Sequence, residues 1–79
     1  MKYQIFVSNN LNKKYYALLE NGKKVHFGDN RYQQYKDKTT IKKYKHLDHN
    51  DEKRKKAYYA RHGEATPYSA KYFSHKYLW

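Results

Sequence analysis

An α+β fold is predicted for this chain, a small N-terminal antiparallel β-meander of three strands packed with two to three C-terminal helices, and three observations predict it. Before position 28 the residues are rich in β-branched and aromatic types and alternate with lysines around an Asn21-Gly22 turn signal. After position 48 the sequence carries helix caps, a basic run with good helix formers and a glycine stop. The third observation is length: 79 residues support one core, so residues 1–79 form a single domain whose two halves pack on each other.

Tyr3 to Val7 reads as the first strand and is closed by the turn formers Ser8-Asn9-Asn10. Lys14 to Glu20 is the second strand. Asn21-Gly22 tolerates positive φ at both central positions of a type I′ hairpin turn, and Lys23 to Phe27 returns as the third strand. Alternation then places Tyr16, Leu18, Val25 and Phe27 on one buried face and leaves the lysines on the other. Gly28-Asp29 ends the sheet, and Asp29 caps a short helix from Asn30 to about Lys36, with Tyr32 and Tyr35 on one face. From Asp37 to Leu47 no period is evident, and the segment reads as a loop or partial turn. A longer helix spans Asp48 to Arg61, with Asp48 or Asn50 as its cap, Asp51 and Glu52 at the positive end of its dipole, and Gly63 as its stop. Ser69 caps a last helix from Ala70 to about Tyr77, in which Ala70, Phe73 and Tyr77 share a stripe. Leu78-Trp79 then anchors that end in the core.

Composition narrows the chemistry. Without cysteine, neither disulfides nor thiolate zinc sites are available, so stability rests on packing. Aliphatic residues are few, and eleven tyrosines, three phenylalanines and one tryptophan must build much of the core; such large, stiff side chains argue against disorder. No apolar run approaches a membrane span, and the first residues are too short for a secretory leader. A cytosolic or nuclear location is expected, with no membrane partner.

A net charge of +11 on so small a body draws polyanions, although the same charge also serves to keep a tyrosine-rich surface soluble. The cations concentrate in two runs that interleave with aromatic rings, Lys42, Lys43 and Lys45 around Tyr44, and Lys53, Arg54, Lys55 and Lys56 followed by Tyr58, Tyr59 and Arg61. This pattern suits phosphate neutralisation, and nucleic acid is the expected partner. On the second run Arg54, Tyr58 and Arg61 lie at helical spacing on one face, where Tyr58 serves either the surface or the core. Three arginines against fifteen lysines favour point-charge contacts over bidentate base recognition, so double-stranded DNA bound with little sequence preference is expected ahead of RNA. His46, His49 and Asp51, with Asp48 and His62, supply the donor types of a metal-dependent nuclease, but caps and dipole partners explain the same residues. No cofactor motif or catalytic residue is identified, and the chain reads as a non-enzyme.

One ordered string of short motifs adds to this reading: Tyr16-Ala17-Leu18-Leu19, Phe27-Gly28-Asp29, Tyr35-Lys36-Asp37, His49-Asn50-Asp51, Arg54, Tyr58 to His62, and Ala70-Lys71-Tyr72-Phe73-Ser74 leading to Leu78-Trp79. Over roughly residues 15–79 the string resembles a small basic family encoded by giant nucleocytoplasmic large DNA viruses. That pattern commonly has glycine after the first threonine following Tyr-Lys-Asp, where this chain has Thr40. The resemblance implies a viral origin rather than a mechanism. It implies a location inside the infected host, in cytoplasm, viral factory or nucleus, or within the virion. It also sets two uses for the charge, condensing a genome or binding acidic virion proteins as an internal structural component.

Overall fold

The computed structural model describes residues 2–79. The chain folds as three strands, β1 (Tyr3–Val7), β2 (Lys13–Leu19) and β3 (Lys24–Asp29), then a single 3-10 turn (Lys45–Leu47) and two helices, α1 (Glu52–His62) and α2 (Ala70–Tyr77). The sheet is antiparallel in the order β1-β2-β3, so the predicted α+β meander followed by helices is what forms.

The hairpin between β2 and β3 differs from the predicted one in a way that changes the face of every β2 side chain. Leu18 pairs with Lys24 and Ala17 with Val25, and the Gly22 amide donates to the Leu19 carbonyl at 2.9 Å. Glu20, Asn21 and Gly22 therefore form a three-residue connection, and of the three only Gly22 has positive φ, at 88°. A two-residue type I′ turn would have set Val25 opposite Leu18. The extra loop residue shifts the register by one, and because strand side chains alternate with period two, the shift moves β2's apolar set to the other face. Tyr15, Ala17 and Leu19 are buried with Phe27, whereas Tyr16 and Leu18, expected in the core, lie on the opposite side of the sheet.

α2 closes the apolar side. Its Phe73 is fully buried, stacked on Phe27 with centroids 5.7 Å apart and edge-on to Tyr3 at 4.9 Å. The Ser69 hydroxyl caps the helix by accepting from the Tyr72 amide, as predicted from sequence. Leu78 is buried at the helix end, where a Cβ on Gly28 would come within 2.7 Å of its Cδ1; Gly28 at φ 75° both permits the turn of the strand and leaves room for that side chain. α1 packs outside this layer rather than on the sheet. Tyr58 stacks on Trp79 at 4.3 Å and 5°, and the Tyr59 hydroxyl donates to the His75 carbonyl.

Residues 30–36 do not form the predicted helix. Arg31 and Tyr32 turn locally onto Asp29, and beyond them the amides go to distant partners: Gln34 to the Leu47 carbonyl and Lys36 to that of Leu78, with Lys38 following to that of Tyr77. The Asp29 carboxylate, expected as a cap, holds Arg31 through its amide and guanidinium. α1 begins four residues later than expected for a related reason. The Asp48 side chain is bonded to Gln34 and the Asp37 amide, and Asn50 takes a left-handed φ of 55°. Capping falls to Asp51, which accepts from the amides of Lys53 and Arg54.

Candidate nucleic-acid interface

The loop from Asn30 to Asp48 wraps a buried polar cluster. Lys14, Gln34, Asp37 and Thr39 are each at most 2% exposed. Lys14 Nζ donates to Gln34 Oε1 and the Tyr32 carbonyl, and Gln34 Nε2 donates to the Tyr44 carbonyl and Asp48 Oδ1. Asp37 accepts from the Tyr15 hydroxyl at 2.5 Å, the Thr39 hydroxyl and amide, and the Tyr44 amide. Burial pushes the Lys14 ammonium down to about 8, against the opposing pull of Asp29, Asp37 and Asp48. Burial and the bond to Asp37 push the Tyr15 phenol up to about 12.

This cluster decides what the surface presents. Of seven acidic residues, Asp37 and Asp48 are committed inside it, Asp51 caps α1, Asp29 holds Arg31, and Glu52 accepts from the Tyr35 hydroxyl at 2.6 Å. Among the described residues a single ion pair forms, Arg31 with Asp29 at 2.8 Å. Five of the seven carboxylates are thus used in structural hydrogen bonds, Glu20 and Glu64 stay exposed, and most of the cationic surface forms no ion pair among the described residues.

The predicted basic residues fall into three places. Lys53, Arg54 and Lys56 are exposed on the first turns of α1, and half-buried Lys55 lies over the Tyr35 ring at 4.6 Å. Arg54 donates to Gln33 Oε1 at 2.9 Å rather than pairing with Asp51. Lys42, Lys43 and Lys45 are exposed on the loop and 3-10 turn, next to Tyr44, which sits edge-on to Tyr15. Arg61 lies two turns along α1 from Arg54, at a cleft of about 530 Å³ that Lys13, His62 and Lys71 also line. Tyr58 is 7% exposed, so the Arg54-Tyr58-Arg61 face is not presented as a unit; Tyr58 belongs to the interior.

Folding adds two lysines that the sequence reading missed. Lys38 also approaches the Tyr35 ring, at 6.0 Å, and its ammonium is held below the ordinary lysine range by partial burial and then by the charges of Lys55 and Lys36. Cations from the loop and from α1 therefore converge around Tyr35. The available signal was alternation: in Lys36-Asp37-Lys38-Thr39 the two lysines are exposed and the residues between and after them are buried.

The histidine cluster is arranged differently from a metal centre. Among the described residues no group of three or more His, Asp or Glu side chains is placed to hold a metal ion. His49 Nδ1 accepts from the Asp51 amide and its ring lies 5.2 Å from Trp79, while His46 lies beside Tyr44. His62 packs on Tyr58 at 4.4 Å, and burial, Arg61 and Lys71 hold its imidazole below the ordinary range.

A family profile, described as Family of unknown function (DUF5754), matches residues 3–62, and the chain belongs to that family. The match takes in the sheet, the polar loop and α1. No curated protein and no solved structure matches the chain.

Proposed function

We propose that this member of DUF5754 is a non-enzymatic nucleic-acid-binding protein that takes double-stranded DNA with little sequence preference. Contact is made by Lys53, Arg54, Lys55 and Lys56 together with Lys36 and Lys38, and the flanking Lys42, Lys43 and Lys45 extend the field. The observation that carries this reading is the convergence of Lys38 and Lys55 on Tyr35, whose hydroxyl holds the Glu52 carboxylate, while Asp37 and Asp48 are bound internally and leave the lysines in excess. A like-charge cluster of this kind costs free energy in the free protein and is relieved by phosphate. In a large DNA virus, the setting suggested by the motif string, such a protein would neutralise packaged genome.

The test is fluorescence anisotropy with random-sequence duplex DNA and with heparin across a salt series, on the native chain and on a variant reversing Lys53, Arg54, Lys55 and Lys56 to glutamate. Duplex binding should weaken linearly with the logarithm of salt, by about 0.9 per phosphate contact, and the reversal should abolish it at near-physiological salt. Duplex affinity no better than heparin affinity, or unchanged in the variant, would overturn the reading and point to an acidic protein partner.

A further inference from the structure

The register shift that moves Tyr16 off the core gives the sheet a second aromatic surface, on the side away from α2. Phe6, Tyr16 and His26 come from β1, β2 and β3 and are direct cross-strand neighbours, Phe6 opposite Tyr16 and Tyr16 opposite His26. Phe6 stacks on Tyr16 with centroids 5.4 Å apart and planes at 27°, and Tyr16 lies 5.2 Å from His26. His26 Nδ1 hydrogen-bonds the Ser8 hydroxyl at 2.6 Å. Ser8 follows β1, two strand spacings or about 10 Å from β3, so the imidazole must lie across β2 rather than stand upright on it. Lys24 Nζ sits 5.4 Å from the Tyr16 centroid. Phe6 is 37% exposed, although a large apolar ring on an edge strand is ordinarily covered or replaced by a polar residue. Toward the hairpin, Gln4 and Leu18 of the same face join Lys2, Glu20 and Gly22, with Tyr3 and Leu19 from the α2 side, in lining an open groove of about 720 Å³ around the end of the sheet.

We propose that this sheet face binds single-stranded nucleic acid, with unpaired bases stacking on the Phe6-Tyr16-His26 row, Lys2 and Lys24 meeting phosphates, and the Gln4 amide facing base edges in the groove. Stacked rings need no particular base, since every base has a π-face, and a lysine beside the ring row supplies the phosphate contact that accompanies each stacked base. Duplex DNA does not fit, because its bases are already stacked and paired. The inference is independent of the α1 surface: the two faces draw on different elements and take different forms of nucleic acid.

The experiment titrates the native chain, the α1 charge-reversal variant and a Phe6→Leu/Tyr16→Val variant with labelled oligo(dT), oligo(U) and duplex DNA. Leucine and valine keep apolar cover and strand propensity while removing the rings. The ring variant should lose about tenfold or more in affinity for oligo(dT) and oligo(U) and keep its duplex affinity. The charge-reversal variant should lose duplex and retain oligo(dT), so that either surface can fail without the other. Amide chemical shifts of the native chain, titrated with oligo(dT), should move at residues 4, 6, 16, 18, 24 and 26 whether or not the variant folds. Equal oligo(dT) affinity in native and folded ring-variant protein, or shifts confined to α1 and the 36–45 loop, would overturn the proposal.

Discussion

The two interiors of this protein are built on opposite principles. Between the sheet and α2, Ala17, Leu19, Phe27, Phe73 and Leu78 pack by shape, and their contacts are non-directional. Beneath the 30–48 loop, Lys14, Gln34, Asp37, Thr39 and Asp48 are held by hydrogen bonds in which each donor has a specified acceptor. A shape-packed core degrades by degrees when a side chain changes. A low-dielectric polar network fails as a unit, because removing one group strands its partners without water. The polar interior also has a consequence for the outside: by taking Asp37 and Asp48 inward it leaves Glu52 as the carboxylate on Tyr35 among Lys36, Lys38 and Lys55.

The sharpest way to break this contrast is to make an equally conservative change in each interior. Asp37→Asn keeps the shape but turns an NH2 toward hydroxyl and amide donors, and should cost about 3 kcal/mol in urea denaturation. An Asp37→Asn cost below that of a conservative change in the apolar core would erase the distinction. The pH dependence probes the same network with no substitution. From about pH 8 toward the ordinary lysine value of 10.5, the unfolded chain holds a proton that buried Lys14 has lost, so stability rises with pH, by on the order of 2 kcal/mol. Above the ordinary tyrosine value of 10.0 the sign reverses, because folded Tyr15 keeps a proton until about 12 that the unfolded chain releases. Denaturation midpoints measured from pH 7 to 11 should pass through a maximum, and Lys14→Met should remove its rising limb.

In the apolar core, Phe73→Leu keeps most of the volume against Phe27 and Tyr3 and should cost about 1.5 kcal/mol with cooperativity intact. The smallest effect is expected at the surface. Lys55→Gln removes one of the cations around Tyr35, and relief of repulsion offsets the lost ring contact, so thermal stability should change by about 0.5 kcal/mol or less. A larger loss there would mean that the cluster stabilises the fold rather than serving a ligand.

Much of this architecture was legible in the sequence because it depends on neighbours a few residues apart. The strand β1 (Tyr3–Val7), the Ser69 cap, the glycine stop after α1 and the burial of Phe73 and Leu78 all follow from local pattern and backbone preference. The cationic residues of α1 were legible too, since a helix that short of apolar positions leaves its lysines in solvent.

By itself, then, the sequence determined the α+β class, the order of its elements and the sign of its surface. Tertiary structure decided the rest, and did so through single residues. Asn21-Gly22 is compatible with a two- or a three-residue connection, and only packing of Tyr15 and Ala17 against Phe27 and Phe73 selects the register that turns Tyr16 to the other face. Asp48 and Asp29 read as caps because local sequence offers them amides, yet the folded chain brings Gln34 and the Asp37 amide to one and gives the other to Arg31. Such choices between near and distant partners depend on which pairing leaves the fewest buried polar groups unmet, here His49 Nε2 alone among the described side chains, a property of the assembled interior that no window of the chain contains.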